Sequence, residues 1–232
     1  MSVNDKIIND VFLSKIFKKN CYLIIKKNQK KIDLNLMHKP YFLTIKTQKK
    51  LNWNIKKKLD ANLICKQLLL KLKKIKSNKI NFLKCSIAKS KDKLQLIKII
   101  SKQESFSRFY LDNKIKKMDA IKIRTEWTKN YFKKKRGYKI IICRVKKKIA
   151  GFLLLDKKNK KFIIDILVVD KKYRRLGVAK SLINFVQKKI LKKDSTFFTG
   201  VISTNKNAIK FYNKLNFFLK EYSYVYHVHK RE

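Results

Sequence analysis

The stretch Ile164–Leu182, IDILVVDKKYRRLGVAKSL, constrains the fold of this chain more than any other. A β-type run (Ile163, Ile164, Ile166, Leu167, Val168, Val169) ends at Asp170. It passes through Arg174, Arg175, Leu176, Gly177 and Val178 into a pattern whose apolar positions, Val178, Leu182, Ile183, Val186 and Ile190, follow helical spacing. Strand, short basic turn with a glycine, and helix start together make an anion cradle. The first N–H groups of a helix have no internal partner, and the macrodipole adds positive charge there. Gly177 and Ala179 lack bulk, so a pyrophosphate could lie against the backbone of Arg175–Lys180.

About 30 residues later, after a second β-type run over Phe197–Ser203, comes Asn205-Lys206-Asn207-Ala208-Ile209-Lys210-Phe211-Tyr212-Asn213-Lys214-Leu215-Asn216-Phe217. The first segment, with Arg-x-x-Gly-x-Ala at Arg174–Ala179, resembles the acyl-CoA signature of the GNAT superfamily of N-acetyltransferases. The second is similar to that superfamily's Asn-x-x-Ala-x-x-Phe-Tyr-x-x-Leu-Gly-Phe. Asn216 departs from the glycine, a mild change, since asparagine is the non-glycine residue that best tolerates the left-handed backbone ending a helix.

Composition bounds the remaining possibilities. At 232 residues, 45% of them hydrophobic, the chain can bury one full core and a smaller appended unit. No apolar run approaches the ~18 residues of a membrane span, and MSVNDKIINDVF has no signal-peptide apolar region. Cys21, Cys65, Cys85 and Cys143 are widely spaced without a CxxC pair, and there are three histidines, so neither a metal site nor a disulfide framework is expected; a reducing cytoplasm fits. The net charge of +47 invites a nucleic-acid reading, but only seven of the 62 basic residues are arginine and the lysines are spread throughout. We therefore expect a solvated lysine coat, with no specific nucleic-acid partner and no membrane insertion. Against that bias, the adjacent Arg174 and Arg175 and the rare Gly177 (one of four glycines) point to structural demand.

Along the chain, residues 1–79 read as a small α/β unit, with strands over Cys21–Ile25 and Tyr41–Thr47, a helix over Lys57–Lys74, and a polar link over 73–79. From Ile80 the expected order is strand Ile80–Ala88, helix Lys91–Lys102, irregular segment 104–114 and helix Lys117–Phe132. The hairpin Lys139–Val145/Ile149–Asp156, strand Phe162–Val169 and the cradle helix follow. Strand Phe197–Ser203, helix Lys206–Leu215 and an antiparallel pair, Phe217–Lys220 and Tyr222–His229, complete it. Periodicity supports α/β or α+β. The resemblance implies a GNAT mixed sheet flanked by helices over 80–232.

Ser107–Asp112, Glu126-Trp127, Asn130-Tyr131, Gly137 and the ending Tyr222–His229 are similar to the substrate side of amino-sugar acetyltransferases, such as the TDP-fucosamine acetyltransferase family. That family also carries an α/β unit ahead of its catalytic domain. The resemblance implies transfer from acetyl-CoA, as co-substrate, to a nucleotide-linked amino sugar for surface-polysaccharide synthesis, with a homodimer possible. It assigns the donor to the cradle (Arg174, Arg175, Leu176, Gly177, Val178, Ala179, Lys180), to the strand backbone of Leu167, Val168 and Val169, and to Asn205, which is also a helix cap by residue type. Tyr212 becomes the acid for the departing thiolate, with Asp165 or Glu126 as base. Arg108, Trp127 and His227 become acceptor contacts; His227 and His229 share a face of the last strand. Two rivals stand beside this reading: acetylation of a protein N-terminus or lysine, and a basic nucleic-acid-associated protein with a degenerate GNAT fold.

Overall fold

The computed structural model describes residues 7–26, 37–73, 83–103 and 106–230. The elements in order are β1 (Ile7–Asn9), α1 (Val11–Phe17), β2 (Asn20–Lys26), β3 (Tyr41–Thr47), α2 (Trp53–Leu59), β4 (Asn62–Leu72), β5 (Cys85–Ile87), α3 (Lys93–Ser101), α4 (Arg108–Leu111) and α5 (Lys117–Phe132). They continue as β6 (Lys139–Val145), β7 (Lys148–Lys158), β8 (Lys161–Val169), α6 (Val178–Lys189), β9 (Thr196–Ile202), α7 (Lys206–Lys214) and β10 (Phe217–Lys230). The ten strands of the described residues join one mixed sheet in the order β1-β2-β3-β10-β4-β9-β8-β7-β6-β5, with helices packed on it. The expected mixed α/β fold is what the chain adopts.

Strands from before and after residue 79/80 share the one sheet. β4 lies between β10 and β9 and pairs antiparallel with both, while β10 reaches over to β3. The polar link expected over 73–79 lies outside the described residues apart from Lys73.

Several segments differ from their sequence patterns: β1 and α1 precede the first expected strand, and the segment expected to be irregular over 104–114 holds α4, a single turn capped by Ser107. The helix expected over Lys57–Lys74 is instead the end of α2 followed by β4. Asp60 turns left-handed (φ 50°) and stops the helix, and Asn62–Leu72 becomes a central strand. Leu68, Leu69 and Leu70 run consecutively and most of the strand is half-buried on either face, so no clean two-residue alternation marks it. The antiparallel pair expected at the end is one strand, β10, whose register against β4 shifts between Leu219 and Glu221. Bulges let a 14-residue strand bend without leaving the sheet.

The main core lies under α6 and α7. Val178, Leu182, Ile183 and Val186 of α6, with Tyr212 of α7, pack on Leu153, Leu155, Ile164, Phe197 and Phe217 of the sheet. This fixes the start of α6 against the end of β8. A separate cluster joins Leu13 and Ile16 of α1, Phe109 of α4, and Ala120 and Ile123 of α5 to Phe42 of β3. It holds α1, α4 and α5 over the other end of the sheet face. No helix among the described residues is long and apolar enough to cross a membrane.

Candidate active site

β8 and β9 run parallel but are paired only through Lys161–Ile164 and Thr196–Thr199. Beyond that point β9 turns to β4, through Gly200–Ile202, while β8 stays bonded only to β7. The sheet therefore forks. The β9-facing edge of Asp165–Val169 leaves its N–H and C=O groups free for an extended ligand. Asp165 is the residue at which β8 bulges against β7: Leu154 opposes Ile166 and Leu155 opposes Ile164. Such a bulge re-aims a side chain beside a site.

A cleft of about 830 Å³ occupies the fork and extends across the sheet face. At one end it is lined by Leu167, Val168, Val169, Arg174, Ala179, Asn205 and Tyr212. α6 begins there. Gly177, its N-cap, is left-handed (φ 78°), a conformation in which glycine alone is unstrained, and no side chain caps the helix. The first amide seen bonding back is that of Ser181, to the Gly177 carbonyl at 2.9 Å. The N–H groups of Val178, Ala179 and Lys180 thus have no intrahelical acceptor, the condition under which a helix start can donate to an anion. Arg174 donates to Gln103 Oε1 at 2.7 Å, which braces the turn against α3. Arg175 and Leu176 are exposed and do not line the cleft, and the side chain of Val178 is buried in the core, so only its amide is available.

Tyr212 is buried on α7, edge-on to Phe211 and Phe217. Burial pushes its hydroxyl up to about 12, and a hydrogen bond from Thr199 works the other way. Thr199 is the last residue of β9 paired to β8, so the phenol stands at the apex of the fork. Asn205 Oδ1 accepts from Ala208 N at 3.1 Å and caps α7, while also lining the cleft.

Asp165 lines the cleft as a bound carboxylate. Its Oδ2 accepts from Tyr131 Oη at 2.7 Å and from Arg136 at 2.9 and 3.1 Å. Tyr131 owes its position to Gly137 (φ 70°), where a Cβ would collide with the tyrosine ring. Desolvation and the neighbouring Asp165 charge hold the Tyr131 hydroxyl far above its ordinary range, so it stays a donor. Glu126 does not reach the cleft; it pairs with Lys129 at 2.6 Å along α5. One helical turn and an i,i+3 partner keep it on the outer face.

Trp127 lines the cleft, stacked on Phe12 at 5.8 Å, with the Arg136 guanidinium 4.9 Å from its ring centre. Arg108 also lines it, its guanidinium 4.1 Å from the Phe109 ring. His227, expected beside the acceptor, is not at the cleft. It is fully buried on β10, which is internal to the sheet, and Nδ1 meets Asp112 Oδ2 at 2.6 Å. His229 Nε2 meets the same oxygen at 2.9 Å. Burial, opposed by the Asp112 hydrogen bond, pulls His227 down to about 4, and Phe42 and Phe109 pack against its ring. The ligand-type atoms of Asp112, His227 and His229 lie within 4.8 Å of one another, a grouping that sequence spacing hides because the partners are over 100 residues apart.

Several cleft residues carried no motif: Asp10 and Phe12, Lys46, Cys65, Gln67, Gln103, Arg124 and Arg136. One signal was available for the arginines. Of seven in a chain that strongly favours lysine, four (Arg108, Arg124, Arg136 and Arg174) line this one cleft. Cys65 is no nucleophile, since burial pushes its thiol up to about 11.

These features place the chain in a class of enzymes that carry an acyl-CoA arm in a forked sheet, and the comparisons give the family. The acetyltransferase (GNAT) domain model matches residues 99–225, so the chain belongs to the GNAT acetyltransferase family, whose members use acetyl-CoA. No curated protein matches the sequence. Among solved structures, a functionally unknown conserved protein from Staphylococcus epidermidis superposes with a TM-score of 0.66 at 10% identity, covering 99% of this chain and 96% of that one. An N-acetyltransferase from Kribbella flavida gives 0.55 at 9% identity over 98% and 88%. A GNAT-family acetyltransferase from Colwellia psychrerythraea gives 0.53 at 15% identity over 82% and 65%. At such identities the likeness is one of fold.

Proposed function

We propose that this protein transfers the acetyl group of acetyl-CoA directly to the amine of a small acceptor, and that the acceptor is a nucleotide-linked amino sugar of the kind used in surface-polysaccharide synthesis. The observation that carries the reaction is the β8–β9 fork, with the uncapped start of α6 at its mouth and the Tyr212 hydroxyl at its apex, all in one cleft.

In this reading the amides of Val178–Lys180 hold the pyrophosphate, and the free edge of Leu167–Val169 holds the pantetheine arm and polarises the thioester carbonyl. The acceptor nitrogen attacks that carbonyl; the C–N bond forms, the C–S bond breaks, and Tyr212 donates to the departing sulfur. The proton lost by the amine passes through water to Asp165, whose Oδ1 accepts none of the hydrogen bonds found among the described residues. With Cys65 held as a thiol, no acyl-enzyme step is called for.

Two features support a small acceptor over a peptide. Residues from before position 80 (Asp10, Phe12, Lys46, Cys65, Gln67) close one side of the cleft, and Phe12 and Trp127 offer flat apolar surface to a ring. The resemblance of residues 107–137 to amino-sugar acetyltransferases agrees. The test is release of CoA with a panel of nucleotide-linked amino sugars, against N-terminal peptides as the control. Turnover of the sugars is expected. Turnover of peptides alone would keep acetyl transfer and discard the acceptor; no turnover with any amine would discard both.

A further inference from the structure

Cations outnumber acids in the cleft. Five cationic side chains line it (Lys46, Arg108, Arg124, Arg136, Arg174) against two carboxylates, Asp10 and Asp165. The carboxylates are already engaged: Asp165 by Tyr131 and Arg136, and Asp10 by the Leu13 amide that it caps at 2.9 Å. Arg124 and Arg174 also have partners, both on Gln103. Lys46 and Arg108 are left. The Nε of Arg108 is buried with no hydrogen-bond partner, and no ion pair to Lys46 or Arg108 occurs among the described residues.

Lys46 and Arg108 line the same cleft. Lys46 of β3 and Cys65 of β4 both stand opposite Val225 of β10, and Arg108 acts electrostatically on both Lys46 and Cys65. Burial first, and the neighbouring guanidinium second, lower the Lys46 ammonium to about 8. The Asp10 carboxylate, which caps α1, acts on Arg108 without forming an ion pair with it; two cations sharing one acid in a partly desolvated site are unfavourable unless something else brings further negative charge.

We infer that Lys46 and Arg108 form an anion subsite that takes a phosphate group of the acceptor, at the end of the cleft away from the fork. This deepens the proposed function and rests on its reading that the cleft accepts an amine. The distance is informative. Lys46 sits on β3, four strand intervals from β8 across β10, β4 and β9. At ~4.8 Å per interval that is roughly 19 Å between backbones. Such a span suits an acceptor whose amine and anion are separated by a sugar ring, and is too long for a simple amino acid. Arg108 matches a phosphate through its planar fork, and Lys46 adds a point charge.

The test is titration of the full chain with uridine diphosphate while CoA is saturating, so that the α6 cradle is already filled, at an ionic strength of ~0.2 M that screens the lysine coat. Succinate serves as the carboxylate arm. Saturable binding of the diphosphate is expected, weakened at least tenfold in Lys46→Met and in Arg108→Gln and unchanged in Lys98→Met, an exposed lysine on α3. Lys46→Met should also raise the Tm, since it removes a charge without a counter-ion. This readout separates a ligand-binding lysine from a structural one, whose loss would lower Tm. Unaltered affinity in folded Lys46→Met overturns the subsite, as does a lowered Tm. Tighter binding of succinate than of the diphosphate overturns the phosphate assignment. If CoA itself fails to bind, the proposed function fails, and the same comparison of variants without CoA still decides the subsite.

Discussion

Tyr212→Phe removes one oxygen from the apex of the fork and little else. The ring keeps its edge contacts with Phe211 and Phe217, so the core under α7 stays filled. The hydrogen bond with Thr199 is lost, which costs about 1 kcal/mol of stability. The catalytic loss can be bounded from the electrostatics. A thiol titrates near ~8.5, whereas burial holds Tyr212 at about 12. Complete proton transfer from the phenol to the thiolate would thus be uphill by about 5 kcal/mol, at ~1.4 kcal/mol per unit. The tyrosine is better suited to donating a hydrogen bond to the developing thiolate, an interaction with a charged group worth about 1.5–3 kcal/mol. We therefore expect kcat to fall by about 10–150-fold, with the Kd for acetyl-CoA nearly unchanged, because the interaction strengthens only as the C–S bond breaks. The assay is CoA release under saturating acceptor, with a pre-steady-state trace to establish that chemistry limits turnover. Full kcat with chemistry rate-limiting would make Tyr212 a packing residue. A fall beyond ~10⁴-fold would mean outright proton transfer and a hydroxyl far more acidic in the complex than in the free protein.

Gly177→Ala should weaken acetyl-CoA by about tenfold in calorimetric titration while the protein stays folded. A Cβ there meets nothing within 4 Å, so the effect comes from the left-handed backbone that sets the α6 amides, and unchanged affinity would remove the cradle from the donor site. The third expectation concerns pH. Burial lowers His227 to about 4, below its ordinary ~6.5, so the unfolded chain binds that proton first and stability falls as pH drops from 6.5 toward 4, by about 3 kcal/mol in all. Burial would raise Asp112, but hydrogen bonds from both histidines outweigh it, so its carboxyl sits below the usual range and its contribution is also lost toward acid. Urea melts between pH 7.5 and 4.5 should show this loss, and His227→Asn, which can still donate to Asp112, should flatten it. A flat wild-type profile would refute the buried neutral histidine.

The parts of the site legible in sequence are those in which consecutive residues do the work. The β8-turn-α6 cradle is one unbroken stretch, and its need for a glycine, small residues and an apolar helix face is local physics. Asn205 and Tyr212 are likewise seven residues apart on one helix start and face. Arg174 and Arg175 stood out because composition ran against them, and of the two only Arg174 lines the cleft; Arg108 was drawn in by the resemblance to amino-sugar acetyltransferases. Glu126 and His227 were drawn into the site by residue type and neighbourhood. Helix phase turned the first away, and the internal position of β10 buried the second against Asp112.

By itself, then, the chain determined most of its local elements and the strand-turn-helix proposed to hold the donor, since caps, turns and periodicity act over a few residues. Only the tertiary structure decided that Asn62–Leu72 is a strand. Its leucines suit either state, and pairing with β9 and β10, more than a hundred residues away, selects the extended one. Strand pairing also opens the fork that leaves the β8 edge free, while helix packing brings Arg108 to the cleft that Lys46 lines and binds Asp165 to Tyr131 and Arg136. The end of the cleft proposed to take the acceptor is built from β3, β4, α1, α4 and α5, elements scattered along the sequence. Their meeting depends on sheet order and packing, which no local spacing records.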